Sequence, residues 1–247
     1  MLRLVVVLFA AWPLAAQPVF DAATVKRGDG GSTVTGAVER GRFHARNTSL
    51  LALLCAAYQL PYFQITGGPG WIQSEGYDIE AKADAPASAA DTQLMLQALL
   101  TERFHLKIRH DRKEMTVFGL SLRADGKGAK PTPADATGCE EDPLSPTNPC
   151  QRLRMAAGYV LSAERISMPV FCKTLGSLFG QTIVDKTDLQ GLYSFKLDLG
   201  GAGYPESQHD PLSAVMAALP ETGLKLERAK STVEMLVIEQ AERPSGN

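Results

Sequence analysis

The sequence is short of the residues from which metal and catalytic centres are most often built. Its four histidines are His44, His105, His110 and His209, and none falls in a His-Glu-x-x-His pattern or at a metal-ligand spacing from Cys or Asp. His105 and His110 stand five apart, an odd spacing that sends strand side chains to opposite faces, so no shared metal is expected. There is no Gly-x-Ser-x-Gly elbow, no phosphate loop ending in Gly-Lys-Ser or Gly-Lys-Thr, and no Gly-x-Gly-x-x-Gly behind a strand. No cofactor is expected either. An excess of one charge is also missing: 25 Lys and Arg meet 27 Asp and Glu, for a net charge of −2. A nucleic-acid partner is therefore not expected, because its basic footprint is absent. Gly and Pro together make up about 15% of the chain, well under the level of low-complexity disorder. What remains, 247 residues at 45% apolar, is a globular protein of one large or two small domains.

The longest apolar run lies at the N-terminus. Met1-Leu2-Arg3 supplies a positive charge, Leu4 to Trp12 a short apolar core, and Pro13-Leu14-Ala15-Ala16 a small-residue end before Gln17. That order reads as a secretory signal peptide over residues 1–16. The run is too short for a bilayer span, and no later stretch is long and apolar enough, so the processed chain is expected to lack a membrane span. Export, to the periplasm or beyond, permits disulfides. Cys139 and Cys150 flank a polar loop with Pro143, Pro146 and Pro149, and a bridge between them is favoured over a metal site. Cys55 and Cys172 sit instead inside helical patterns.

Apolar residues at helical spacing mark four helices: Leu50, Leu53, Leu54 and Ala57 behind Ser49; Leu96, Leu99 and Leu100 behind Asp91; Phe171, Leu175 and Leu178 between Ser167 and Gly180; and Leu212, Val215, Met216 and Leu219 behind Asp210-Pro211. Strict alternation marks strands at Tyr77-Ile79-Ala81, Leu106-Ile108 and Phe195-Leu197-Leu199, with shorter ones at Val117–Leu122, Ile183-Val184 and Met235–Ile238. The fold class is α+β.

The two halves repeat each other. Gly41 to Cys55 matches Gly158 to Cys172, Tyr77 matches Tyr193, and Leu106-Lys107-Ile108 matches Leu224-Lys225-Leu226, all at offsets near 117. An internal duplication follows, with two related lobes, each of about two helices on a small, mostly antiparallel sheet and each ending in a hairpin. The expected division is a first lobe over 17–123, a linker or insertion with the cysteine loop over 124–157, and a second lobe over 158–247. On this matching Cys55 and Cys172 are equivalent, and either a bridge between lobes or two separate thiols fits.

Two segments invite functional readings. Gly67-Gly68-Pro69-Gly70-Trp71-Ile72 ends in a tryptophan suited to stacking on a sugar or peptide, although a plug beneath a turn is the commoner role. Asp185-Lys186-Thr187-Asp188-Leu189-Gln190-Gly191 offers an acid–base pair, but adjacent residues on an extended segment diverge, and a turn held by Asp and Thr is preferred. Trp71, Tyr77, Asp185, Lys186 and Tyr193 are the candidate binding residues, and no catalytic residue is assigned.

Gly67 to Trp71 with Tyr77 to Lys82, Leu94 to Phe104 with Lys107, and Val184 to Thr187 with Gly191 and Tyr193 together resemble a secreted, soil-associated family of uncharacterised function abundant in Acidobacteria. The likeness runs from about Phe20 to Pro244. It implies export and carries no established catalytic residues. Asp188 stands where that family usually has Gly, which implies a strained or reshaped turn here. Leu212 to Ile238 is also similar to the short periplasmic module that precedes secretins and binds protein partners. The expectation is an exported, non-enzymatic binding or sensing protein of the bacterial envelope, with an envelope protein or cell-wall component as partner and the cleft between lobes as its site. The alternative is an envelope hydrolase whose site draws on distant residues such as Asp185, Lys186 and His105.

Overall fold

The computed structural model describes residues 18–30, 34–39, 41–139, 150–156, 159–200 and 211–245. The expected signal peptide lies outside these residues, as do Gly158, His209 and Asp210. In chain order the elements are β1 (Ala22–Arg27), β2 (Val34–Glu39), β3 (Arg42–Ser49), α1 (Leu50–Tyr58), β4 (Ile65–Gly67), α2 (Trp71–Ser74), β5 (Gly76–Lys82), α3 (Ala89–Arg103) and β6 (Lys107–Leu122). They continue with β7 (Thr132–Ala134), β8 (Arg152–Ala156), β9 (Val160–Ile166), α4 (Met168–Phe179), β10 (Ile183–Asp185), β11 (Leu192–Asp198), α5 (Pro211–Ala218) and β12 (Leu224–Gln240).

Local chemistry accounts for the helix ends. The Ser49 hydroxyl accepts from the Ala52 amide, and Gln59 closes α1 in the left-handed region at φ 52° ahead of Pro61. At α3 the cap is Ser88 and not Asp91: the Ser88 hydroxyl accepts from the Asp91 amide at 3.0 Å and donates to its carboxylate at 2.7 Å. Asp91 thus binds back to the cap residue from the first turn, through the Ser88 hydroxyl. Gly180, at φ 62°, ends α4.

The strands form three four-stranded sheets, ordered β1-β5-β3-β2, β10-β6-β12-β4 and β7-β11-β9-β8. Among the described residues, β10 with β6 and β4 with β12 are the parallel pairs. Adding six to each strand number carries the order of the first sheet into that of the third, and maps the middle sheet onto itself reversed. The register agrees: Ile65 pairs with Leu236 as Ile183 pairs with Phe118, so 65 becomes 183 and 118 becomes 236 under one shift of 118. Backbone conformation follows the same shift, with Asn47 (φ 43°) and Arg165 (φ 48°), and His105 (φ 45°) and Gly223 (φ 70°), in the left-handed region.

The expected hairpin at the end of each half does not form. Leu106–Ile108 and Val117–Leu122 fall on or beside one continuous strand of 16 residues, β6, and the corresponding pieces near the C-terminus on one of 17 residues, β12. The polar stretch Asp111-Arg112-Lys113-Glu114 contains no Gly, Pro or Asn-Gly to reverse the chain. The strand runs straight, and its ladder is completed by the other half, antiparallel from Leu122–Leu224 to Ile108–Ile238 and centred on Glu114–Thr232.

Each hydrophobic core therefore takes residues from both halves. The first gathers Phe43, Leu50, Leu54, Ile79, Leu96, Leu100 and Phe104 together with Leu236 and Ile238 of β12. The second gathers Leu161, Ile166, Phe171, Leu175, Leu197, Val215 and Leu224 together with Leu120 of β6. The alternation read at β5 places Tyr77, Ile79 and Ala81 inward, with Glu80 and Lys82 exposed.

Candidate functional site

The glycine-rich segment and the Asp185 segment turn out to occupy one position in the two halves. Gly67 and Asp185 each end a short parallel edge strand, and the following amides donate to matching carbonyls, Gly68 to Ile238 at 2.9 Å and Lys186 to Leu120 at 2.8 Å. At Gly67, φ is 80° and a Cβ would lie 2.5 Å from the Ile238 carbonyl oxygen, so only glycine fits. In the second half Asp185 organises the turn. Its Oδ1 accepts from the Thr187 amide at 2.8 Å and the Thr187 hydroxyl at 2.7 Å, and that hydroxyl accepts from the Leu189 amide at 3.2 Å. Asp188 takes φ 57° and Gly191 φ 89°. Lys186 lays its methylenes against Gly119, and the Tyr193 hydroxyl donates to the Gln190 carbonyl at 3.0 Å. Asp185, Lys186 and Tyr193 are placed together, but as parts of a turn.

Trp71 and Tyr77 are also brought together, at the first core. Trp71 stacks on Phe104 with 6.3 Å between ring centroids, and Tyr77 meets Phe104 edge-on at 4.9 Å. Above the indole lies the Arg243 guanidinium, 5.2 Å from its centroid and held by Glu75 at 2.7 and 3.0 Å. Arg243 is the chief reason the Glu75 carboxyl titrates below its ordinary range. Burial, reinforced by Glu75, pushes the Tyr77 hydroxyl up to about 12. Trp71 is half-buried, packed beside Phe104 and beneath the Arg243 guanidinium.

The described histidines each face a carboxylate: His44 with Glu80 at 2.5 Å, His110 with Glu234 at 2.8 Å and His105 with Glu242 at 3.7 Å. Among the described residues no group of three His, Cys, Asp or Glu side chains is placed to hold a metal. His105 and Asp185 are far apart in the fold, since Asp185 pairs with Leu120 at one end of β6 and His105 precedes its other end. Cys139 and Cys150 are bridged, with Cα atoms 5.4 Å apart, as the loop suggests. Cys55 and Cys172 are free thiols.

These two cysteines are not equivalent. The inward residues of α1 are Leu50, Leu53, Leu54 and Ala57, and those of α4 are Met168, Phe171, Cys172 and Leu175. The shift of 118 matches Cys172 to Leu54 and Cys55 to Lys173. One residue along a helix turns a side chain by about 100°, so Cys172 enters its core while Cys55 lies at the edge of the other. Burial pushes Cys55 up to about 11, and burial with Asp185 nearby pushes Cys172 higher still.

Where α1 approaches α4, residues of both halves line a cleft. A trough of about 480 Å³ is lined by Ser49, Leu51, Ala52, Cys55, Ala56 and Leu60 from the first half and by Lys173 and Ser177 from the second. A second trough of about 340 Å³ continues past Gln59, Pro61 and Lys173 toward Cys172, Thr182 and Asp185. Between them the Lys173 ammonium donates to Gln59 Oε1 at 2.9 Å, and the Gln64 amide donates to the Thr182 hydroxyl at 3.3 Å. Partial loss of water pulls the Lys173 ammonium below the ordinary lysine range. A third hollow, about 600 Å³, lies on the first sheet around Arg42, His44, Glu80 and Lys82, and its walls come from one half alone.

Residues 51–241 match a family described as a protein of unknown function, DUF3738. The chain belongs to that family. No curated protein and no solved structure matches the sequence. The matched span takes in every residue lining the two troughs except Ser49, and it includes Gly67, Asp185 and the whole of β6.

Lys173 and Gln59 are the site residues that sequence reasoning missed. Lys173 is an ordinary polar position on an amphipathic helix, and Gln59 is the residue after another. Their pairing spans 114 positions and depends on how two helices meet. The one signal was the shift of 118 that the strand registers share, which sets Lys173 at the position of Cys55.

Proposed function

We propose that this chain is an exported, non-enzymatic binding or sensing protein of the bacterial cell envelope, built from two duplicated halves, whose ligand lies in the trough between α1 and α4. One observation carries the reading: the trough is apolar, its walls come from both halves, and Lys173 and Gln59 meet across it. A ligand entering there touches both halves at once, as binding clefts between lobes commonly require. The matching sheet orders support duplication. Export is supported by the N-terminal pattern, by the bridged Cys139 and Cys150, which suit an oxidising compartment, and by the likeness to a secreted soil-associated family.

The hydrolase reading finds less support. The Asp185 carboxylate is bonded within its own turn to Thr187, His105 lies toward the other end of β6 from Asp185, and burial raises both free thiols, which keeps them protonated at neutral pH. Native mass spectrometry tests the choice. Protein incubated with an envelope extract and re-isolated is expected to carry a non-covalent small molecule that Ala56→Trp, by filling the trough, excludes. Turnover of a cell-wall or peptide substrate that disappears in Asp185→Ala would overturn the proposal.

A further inference from the structure

The lining of this trough narrows the chemistry of what it holds. Leu51, Ala52 and Ala56 of α1, with Leu60 just beyond its end, form an apolar wall, and the small residues Ala52 and Ala56 leave room above the helix. The wall continues outward through Pro61 to Tyr62, which is 57% exposed. An aromatic side chain of this size left in water beside an apolar hollow suits a ligand whose body is itself apolar.

The polar end is different in kind. Lys173 carries three ammonium protons, and the hydrogen bond it makes is to Gln59 Oε1, a neutral acceptor. Among the described residues it forms no ion pair. Asp185 lies on the far trough, and its carboxylate is engaged by Thr187. A cation beside an apolar wall, partly stripped of water and hydrogen-bonded to a neutral amide, suits an anion.

We infer that the trough binds a single-chain amphipathic anion, with its alkyl body along Leu51, Ala52, Ala56 and Leu60 and its head group at Lys173. This rests on the binding reading above and names its ligand class. Ser177, one turn beyond Lys173 on α4, supplies a hydroxyl at the same trough that suits a remaining lone pair of a carboxylate. The head group replaces or shares the Gln59 contact, and a charge-assisted bond is stronger than the neutral one it displaces. A cationic amphiphile has the same tail but meets Lys173 with like charge.

Three probes with one tail test this on the full processed chain, by calorimetry below their micellar concentrations: dodecanoate, dodecanol and dodecyltrimethylammonium. Dodecanoate is expected to bind about tenfold more tightly than dodecanol, with the cation weakest. Lys173→Met should bring dodecanoate down to the dodecanol level while leaving dodecanol unchanged, and Lys173→Arg should keep the preference. Ala56→Trp, checked for wild-type circular dichroism and melting, should abolish binding of all three. Equal affinity for dodecanoate and dodecanol would overturn the anion assignment and leave the trough as an apolar site. Binding of none of the three, or binding indifferent to Ala56→Trp, would also overturn it, and the co-isolated ligand of the preceding experiment then separately decides whether the trough binds anything.

Discussion

Cys55 and Cys172 differ by one residue in frame, and that residue decides their chemistry. Cys172 points into the second core and Cys55 to the margin of the first, so burial raises both thiols and raises Cys172 more. At pH 8 the native protein should alkylate slowly at Cys55, at a rate rising about tenfold per pH unit toward pH 11, and at Cys172 only after unfolding. Peptide mapping after timed iodoacetamide exposure reads both. The same shifts make stability depend on pH. Between the ordinary thiol value of 9.0 and the native value of about 11 the unfolded chain has released a proton from Cys55 that the folded chain retains. Stability contributed by the buried thiol is therefore complete below pH 9 and falls as pH rises toward 11. Tyr77, raised from 10.0 to about 12, extends the decline upward. Urea midpoints measured from pH 8 to 11 should fall steadily, and Cys55→Ala should flatten the first part of the fall.

At the scale of an element, the two edge strands show one backbone task met by different residues. In the first half the chain leaves β4 through Gly67, in a conformation and a space closed to any side chain; in the second it leaves β10 through Asp185, whose carboxylate ties down the next turn. Gly67→Ala should cost roughly 2–3 kcal/mol, from left-handed strain together with the clash against the Ile238 carbonyl. Asp188→Gly should do the opposite. Asp188 holds φ 57°, and relieving it should add up to about 1 kcal/mol, consistent with the glycine implied by the family resemblance. Urea denaturation of both variants checks the signs. The turn at Asp185 was legible in the sequence because Asp, Thr and Gly bond locally. The glycine pair was visible only as a turn signal, because its reason lies in a carbonyl on β12, 171 positions away.

For the whole molecule, the exchange of β6 and β12 makes each core depend on the other half. Neither half on its own has Leu236 and Ile238 for the first core, or Leu120 for the second. A fragment of residues 18–123 is expected to be unfolded or to form a dimer by pairing β6 with its own copy; sedimentation showing a folded monomer would contradict this architecture. Mixed with residues 131–245, it should regain helical circular dichroism and a single cooperative transition. The long ribbon also explains why the trough is where it is. The ribbon ties the halves together, α1 and α4 face each other across them, and Lys173 and Gln59 meet.

The sequence by itself determined which face is inward where strict alternation marks a strand, as at Tyr77, Ile79 and Ala81, where the main helices run, that the polar cysteine loop closes on itself, and that two halves share a pattern. Those properties are local: alternation and helical spacing depend on neighbours within a few residues, and a disulfide across a short loop needs only its own segment. The tertiary structure alone decided which strand pairs with which. Alternation chooses a face and not a partner, so a strand folded back as a hairpin and one run straight across to the other half look the same in one dimension. From that choice followed the frame of the repeat, the separation of Cys55 from Cys172, and the meeting of Lys173 with Gln59 over a trough that neither half builds by itself.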